Sequence, residues 1–167
     1  MENNTYKEKL AEQLLKIKAI QLSTQEPFTW ASGIKSPVYC DNRKLLSYPE
    51  IRTMVKKGLI SLLQEYFPQT ECIAGVATAG IPHGALLADA VNLPFVYVRS
   101  KPKEHGLTIT IEGDLKHGQR ILVVEDTIST GGSSLKAVQD LRAAGAEVIG
   151  MVAIYKYGFE SAIKRFE

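Results

Sequence analysis

In two stretches in the first part of the chain, the residues of one helical face recur every three or four positions, which is the spacing of an amphipathic helix. The first stretch is marked by Tyr6, Leu10, Leu14, Ile17 and Lys18. The second begins near Pro49, ends at Pro68 and carries its apolar face on Ile51, Met54, Val55, Leu59, Leu62, Leu63 and Tyr66. The pattern predicts two helices, with a polar and aromatic segment between them at residues 23–48.

From residue 72 onward, short apolar runs alternate with segments of helical spacing. The apolar runs predict four strands, at residues 72–77, 95–98, 121–124 and 148–154. Helical spacing predicts helices at residues 81–91 and 133–144, and Gly145 stops the second. A polar segment without a clean period, residues 100–118, lies after the second strand. This order predicts an α/β fold with a mainly parallel sheet flanked by helices.

Composition and charge are those of one globular domain. The chain has 167 residues, of which 45% are hydrophobic and 23% charged, as is typical of a soluble protein. A formal charge of +2 is too small to argue for nucleic-acid binding. We expect no membrane span, because charged and proline residues interrupt the most apolar region, residues 73–98.

The cysteines and the N-terminus bear on the cellular compartment. Cys40 and Cys72 lack metal-ligand spacing, and the N-terminus lacks the apolar run of a signal peptide. We therefore expect two reduced thiols in a cytoplasmic protein.

The most informative chemistry follows the third predicted strand. Two acids, Glu125 and Asp126, come directly after it, and a turn rich in hydroxyls and glycine spans residues 127–132. Ser133 or Ser134 is expected to cap the next helix. The backbone N–H groups of the turn and of the helix N-terminus would cradle a phosphate. Paired acids beside a phosphate make sense if the ligand also carries hydroxyl donors, as a ribose does.

A basic cluster follows the second predicted strand. Arg99, Lys101, Lys103 and His105 place four potential cations within seven positions. Such a loop could close over a pyrophosphate and neutralise its charge as it leaves. A solvated surface loop is the alternative, and the nearby phosphate cradle favours the functional interpretation.

Residues 123–133, Val-Val-Glu-Asp-Thr-Ile-Ser-Thr-Gly-Gly-Ser, resemble the phosphoribosyl pyrophosphate (PRPP) signature of the type I phosphoribosyltransferases. The resemblance implies a core of that type. In that family the two acids hold the ribose 2′- and 3′-hydroxyls, and the following loop grips the 5′-phosphate. The implied PRPP-binding residues in this segment are Glu125, Asp126, Thr127, Ile128, Ser129, Thr130, Gly131, Gly132 and Ser133.

Residues 98–106, Val-Arg-Ser-Lys-Pro-Lys-Glu-His-Gly, are similar to the catalytic loop of the orotate phosphoribosyltransferases. The resemblance implies that Arg99, Lys103 and His105 bind the pyrophosphate of PRPP and act in catalysis. Many members carry a lysine where Ser100 stands here, and whether Lys101 replaces it stays open.

Residues 27–43 are similar to the small N-terminal hood of the same family. The matching residues are Phe28-Thr29, Ser32-Gly33 and Lys35-Ser36-Pro37. This match favours orotate over a purine. Ser129 corresponds to a hydroxyl residue that meets orotate in the family.

The chain also departs from the family pattern. Some members have a basic residue where Ala31, Ala79 and Tyr157 stand here. Residues 75–80 resemble the family's pyrophosphate loop, although tight packing of a strand against a helix explains their small side chains nearly as well.

The resemblance implies one phosphoribosyltransferase domain over residues 1–167. An N-terminal helix and hood would occupy about residues 1–48, and the core about residues 49–167. Members of the family usually continue further, so the C-terminus looks truncated.

The implied activity is transfer of ribose 5-phosphate from PRPP to orotate, which gives orotidine 5′-monophosphate and pyrophosphate in pyrimidine biosynthesis. The resemblance implies Mg²⁺ on substrate oxygens, with no protein metal ligands, and a homodimer with shared sites; no nucleic-acid partner is expected. Three alternatives stay open: a purine phosphoribosyltransferase, a non-catalytic regulator that binds nucleic acid, and an inactive homologue.

Overall fold

The computed structural model describes residues 2–30, 33–100 and 110–166. The chain divides into two compact units, Met1–Val55 and Lys56–Glu167. Among the described residues, no helix combines the length and the apolar character needed to cross a membrane.

The first unit contains a helix and two small antiparallel ribbons. Helix α1 (Glu2–Lys16) leads into a ribbon of β1 (Ile20–Leu22) and β4 (Val38–Cys40), and β2 (Phe28–Thr29) pairs with β3 (Lys35–Ser36). A 3-10 helix follows at Asn42–Ser47.

The first predicted helix is correct except at its end. It stops at Lys16 rather than reaching Lys18, because Lys18 adopts a left-handed φ of 56° that turns the chain away. The sequence pattern did not reveal β1, which precedes the predicted polar segment, or the three strands β2, β3 and β4 within that segment. Strands of two or three residues are too short to display a period of two.

The boundary between the two units lies within helix α2 (Pro49–Tyr66). The second unit is built on a five-stranded sheet. The strands are β5 (Cys72–Val76), β6 (Phe95–Val98), β7 (Ile111–Glu112), β8 (Arg120–Ile128) and β9 (Glu147–Lys156). Their order is β7-β6-β5-β8-β9, and only the edge strand β7 is antiparallel. The predicted α/β fold with a mainly parallel sheet is confirmed.

Three helices complete the second unit: α3 (Gly80–Val91), α4 (Gly132–Ala143) and α5 (Glu160–Phe166). Alternate residues of the central strands join Ala137, Val138 and Leu141 of α4 in one buried apolar cluster. This burial on one side of the sheet supplies much of the driving force for folding.

Glycines allow α3 to lie very close to the sheet. A Cβ atom placed on Gly80 would lie 2.6 Å from the Val124 carbonyl oxygen, and one on Gly75 would lie 2.9 Å from the Ile81 Cα. Both distances are shorter than a side chain tolerates. Gly75 and Gly80 therefore serve strand–helix packing, which was one of the two interpretations of residues 75–80; the other, a pyrophosphate loop, stays a prediction.

Candidate active site

The two acids lie within strand β8 rather than beyond its end. The strand continues to Ile128, because β9 runs alongside and pairs Thr127 with Tyr155 and Ile128 with Lys156. The predicted turn at residues 127–132 is therefore wrong at its start, because residues 127 and 128 belong to β8. The segment that remains between β8 and α4 is Ser129 to Gly131.

Glu125 is almost completely buried, with an exposed fraction of 4%. Its carboxyl accepts a hydrogen bond of 3.0 Å from the Ser134 hydroxyl and one of 3.1 Å from the Asp126 amide. Burial, followed by the hydrogen bond with the Asp126 carboxylate and the negative charge of that group, raises the pKa of Glu125 to about 8. Glu125 therefore retains its proton at neutral pH.

Asp126 is the more accessible member of the acid pair. Its side chain is half-buried and accepts a hydrogen bond of 3.1 Å from the Thr127 hydroxyl. The site thus combines a buried acid that retains its proton with a neighbouring carboxylate nearer to solvent. A ligand with several hydroxyl groups can bind such a pair, because a neutral carboxyl both donates and accepts hydrogen bonds.

Helix α4 begins at Gly132, one residue before the predicted start. Its N-cap is Gly131, whose φ of 78° favours glycine, and no side chain caps the helix there. The predicted capping role of Ser133 or Ser134 is wrong. Ser133 is exposed, and the Ser134 hydroxyl binds Glu125 instead. Without a side-chain cap, the first N–H groups of α4 are placed to receive an anion.

Helix α5 lies against the segment between β8 and α4, and this contact is one that the sequence pattern did not predict. The Arg165 guanidinium donates to the Thr130 carbonyl oxygen at 3.3 Å. A Cβ atom on Gly131 would lie 2.8 Å from the Phe166 ring. A cation and an aromatic ring therefore border the proposed phosphate loop.

Arg99 lies at the base of the basic segment. Its amide donates to the Thr110 carbonyl oxygen at 2.7 Å, and its guanidinium is 3.4 Å from the Glu112 carboxylate. These contacts join Arg99, which begins the basic segment, to Thr110 and Glu112, where β6 pairs with β7. Glu112 was not predicted as a partner of Arg99. Lys101, Lys103 and His105 lie outside the described residues.

The remaining predicted positions are dispersed. Ser129 is half-buried beside the acid strand, and Ala79 is the N-cap of α3. The Tyr157 ring stacks on Phe159, with ring centroids 5.9 Å apart. Ala31, in the first unit, lies outside the described residues.

His83 on α3 is a further residue near the acids that the sequence did not single out. It is 2% exposed, and within the described part of the chain its Nε2 atom has no hydrogen-bond partner. Burial lowers the pKa of His83, and the negative charge of Asp126 acts in the opposite direction. In the sequence this residue was visible only as a polar interruption of an apolar region.

Known proteins match this chain in sequence and in fold. Residues 43–162, which include most of the five-stranded sheet's unit, match the phosphoribosyl transferase domain, and this match defines the class of the protein. An orotate phosphoribosyltransferase of Bacteroides fragilis is 64% identical over 157 residues, which cover 94% of this chain and 74% of that protein. Another, from Cytophaga hutchinsonii, is 56% identical over 162 residues, covering 97% and 78% of the two chains.

A solved structure agrees with these relatives. The crystal structure of orotate phosphoribosyltransferase from Aeropyrum pernix has a TM-score of 0.74 and 28% identity, and the match covers 94% of this chain and 97% of that one. The chain belongs to the orotate phosphoribosyltransferase family of the phosphoribosyl transferases.

Proposed function

We propose that this protein transfers ribose 5-phosphate from PRPP to a ring nitrogen of orotate, giving orotidine 5′-monophosphate and pyrophosphate. Family membership supports the reaction. The observation that carries the proposal is the Glu125–Asp126 pair in the C-terminal half of β8, where Glu125 is hydrogen-bonded to Ser134 in the first turn of α4, a helix without a side-chain cap. Ligands of parallel α/β sheets bind at this edge.

The acid pair would hold the ribose. Asp126 and Glu125 can both accept hydrogen bonds from hydroxyl groups through their carboxyl oxygens. The negative charge of Asp126 would also favour an oxocarbenium-like sugar, which forms at C1′ as pyrophosphate leaves.

The loop and the start of α4 would hold the 5′-phosphate. Backbone N–H groups of Thr127 to Ser133 supply donors, and the dipole of α4 favours an anion at its N-terminus. Gly131 and Gly132 lack side chains, so the backbone can approach a phosphate closely. Ser129, beside this loop, is the proposed contact to orotate.

Cations would stabilise the leaving pyrophosphate. Arg99 is placed at the base of the basic segment, and Lys103 and His105 follow in that segment. Their positive charges oppose the negative charge that grows on pyrophosphate, and His105 could donate a proton to it.

Mg²⁺ fits this chemistry as a companion of the substrate. Among residues 2–30, 33–100 and 110–166, no three His, Cys, Asp or Glu side chains gather into a metal-binding cluster. Mg²⁺ commonly keeps several waters and binds substrate phosphates rather than a full protein cage. When bound, it would neutralise pyrophosphate charge, while the residues named above orient the sugar.

A homodimer with shared sites is part of the proposal. In the family, the lysine of the basic loop reaches the neighbouring subunit's site, and Lys103 would do so here. Mixing two inactive variants, Lys103→Ala and Asp126→Asn, should then restore part of the activity through hybrid dimers. No recovery of activity on mixing would contradict shared sites.

The reaction is tested by following pyrophosphate release from PRPP with orotate, with and without Mg²⁺. Turnover should require orotate and Mg²⁺ and should be largely lost in Asp126→Asn. The matched control is Asp114→Asn, which removes the same charge at an exposed position and should retain turnover. Turnover with hypoxanthine, xanthine or adenine, and none with orotate, would overturn the choice of base.

A further inference from the structure

His83 occupies a position that is costly for a polar side chain. It is 2% exposed, and among the described residues Nε2 has no hydrogen-bond partner. A buried polar atom that loses its water contacts without a replacement destabilises a fold, whereas an apolar side chain of similar volume would avoid that cost. Packing alone therefore gives no reason for an imidazole at this position.

The fold places His83 on the face of α3 that packs against β8 near the acid pair. Gly80 fixes the first turn of α3 against β8, since a Cβ on Gly80 would lie 2.6 Å from the Val124 carbonyl oxygen and 3.3 Å from the Glu125 Cα. His83 follows Gly80 by three residues, so the two share one face of the helix. The negative charge that acts on the His83 imidazole is that of Asp126.

The imidazole is suited to donate a hydrogen bond without adding a charge. Burial lowers the pKa of His83, which favours the neutral ring at neutral pH. A neutral imidazole carries one N–H donor, and a carboxylate offers four acceptor sites. Asp126 can therefore accept a hydrogen bond from the His83 imidazole while its other acceptor sites bind a ligand.

We propose that His83 is a positioning residue for Asp126: on PRPP binding, its Nε2–H donates to the Asp126 carboxylate and fixes that carboxylate for the ribose hydroxyls. The inference rests on the proposed PRPP site but not on the identity of the base. His83 does not touch the reacting atoms. It acts through the orientation of Asp126, and its effect should appear in PRPP binding rather than in recognition of orotate.

Two substitutions separate positioning from packing. His83→Leu keeps an apolar volume and removes the donor, and His83→Gln places an amide N–H near the position of Nε2. Calorimetric titration with PRPP and Mg²⁺ gives the affinity, thermal unfolding gives stability, and steady-state rates give KM for orotate. His117→Leu at an exposed position is the matched control.

We expect His83→Leu to weaken PRPP binding about tenfold or more, the value of a hydrogen bond to a charged group. Its Tm should stay level or rise by a few degrees, because an unsatisfied buried polar atom is removed. KM for orotate should stay within about twofold of the wild-type value, a change of only a few tenths of a kcal/mol. His83→Gln should recover most of the affinity, and His117→Leu should bind PRPP as the wild type does.

Wild-type PRPP affinity in His83→Leu would overturn the proposal, as would an equal loss in His83→Leu and His83→Gln. If His83→Leu does not fold, His83→Met provides the same comparison. The titration uses PRPP without orotate, so failure of this proposal is distinct from failure of the proposed reaction. A protein that binds PRPP through His83 but does not turn over orotate would contradict only the reaction.

Discussion

The Ser134 hydroxyl donates a hydrogen bond of 3.0 Å to the Glu125 carboxyl, and both side chains are buried. This bond joins the first turn of α4 to the end of β8. The proposed phosphate site begins at that turn, and the proposed ribose site lies at the end of that strand. The Ser134–Glu125 bond therefore links the two halves of the proposed PRPP site.

Ser134→Ala should destabilise the protein by about 1–3 kcal/mol, because it leaves a buried carboxyl oxygen without its donor. The Ser134 hydrogen bond lowers the pKa of Glu125, so its loss should raise that pKa further. Chemical denaturation checks the free energy of unfolding. Ser133→Ala, at the neighbouring exposed position, should leave stability unchanged, and equal losses in the two variants would contradict this role of Ser134.

Glu125→Gln should change how stability depends on pH. The folded pKa of about 8 exceeds the ordinary value of 4.5, so the folded state binds the proton more tightly than the unfolded state. This contribution to stability is complete below 4.5 and is lost as pH rises through about 8. Its slope approaches about 1.4 kcal/mol per pH unit within that window.

The amide of glutamine resembles a protonated carboxyl but does not titrate. The free energy of unfolding of Glu125→Gln should therefore fall less between pH 5 and 8 than that of the wild type. Denaturant titrations across this range give the comparison. Parallel pH profiles for the two proteins would show that Glu125 has an ordinary pKa.

Gly80→Ala should cost about 1–3 kcal/mol, because its methyl group would meet the Val124 carbonyl oxygen and force α3 away from β8. Gly132→Ala is the control for stability: it has an ordinary φ, and the nearest atom to its Cβ is a guanidinium nitrogen of Arg165 at 4.0 Å. Thermal unfolding should show a lower Tm only for Gly80→Ala. A tolerated Gly80→Ala would mean that α3 can shift without cost.

Lys103→Ala should lower kcat by about 10²–10³ while PRPP affinity changes far less, because the lysine acts on charge that develops as pyrophosphate leaves. Lys116→Ala removes the same charge at an exposed position and should keep its kcat. Steady-state rates and PRPP titrations separate the two effects. Unchanged turnover in Lys103→Ala would remove this residue from the mechanism.

Four of the five strands of the central sheet were predictable because each contains an apolar run of at least four residues, whereas the two-residue edge strand β7 was not predicted. Ile121 to Val124 are fully buried, as expected for a central parallel strand. The ribbons of the first unit were not predictable, since they are held by pairing between very short segments. The extension of β8 to Ile128 depends on β9 alongside it, and no local pattern encodes such a partner.

The candidate site was predictable where it forms one continuous motif. The acid pair and the loop after it are adjacent in sequence, so their residue types were sufficient to indicate a sugar phosphate. The contributions of His83 and Arg165 come from separate helices and depend on tertiary packing. An isolated histidine in an apolar region carries no sequence signal that distinguishes a core residue from a partner of Asp126.

A crystal structure of the protein with PRPP and Mg²⁺ tests the central claim most directly. The ribose hydroxyls should lie within hydrogen-bond distance of Asp126 and Glu125, about 2.5–3.2 Å, and the 5′-phosphate should lie on the amides of residues 127–133. A ribose bound away from Asp126, with the start of α4 turned away from the phosphate, would contradict the account.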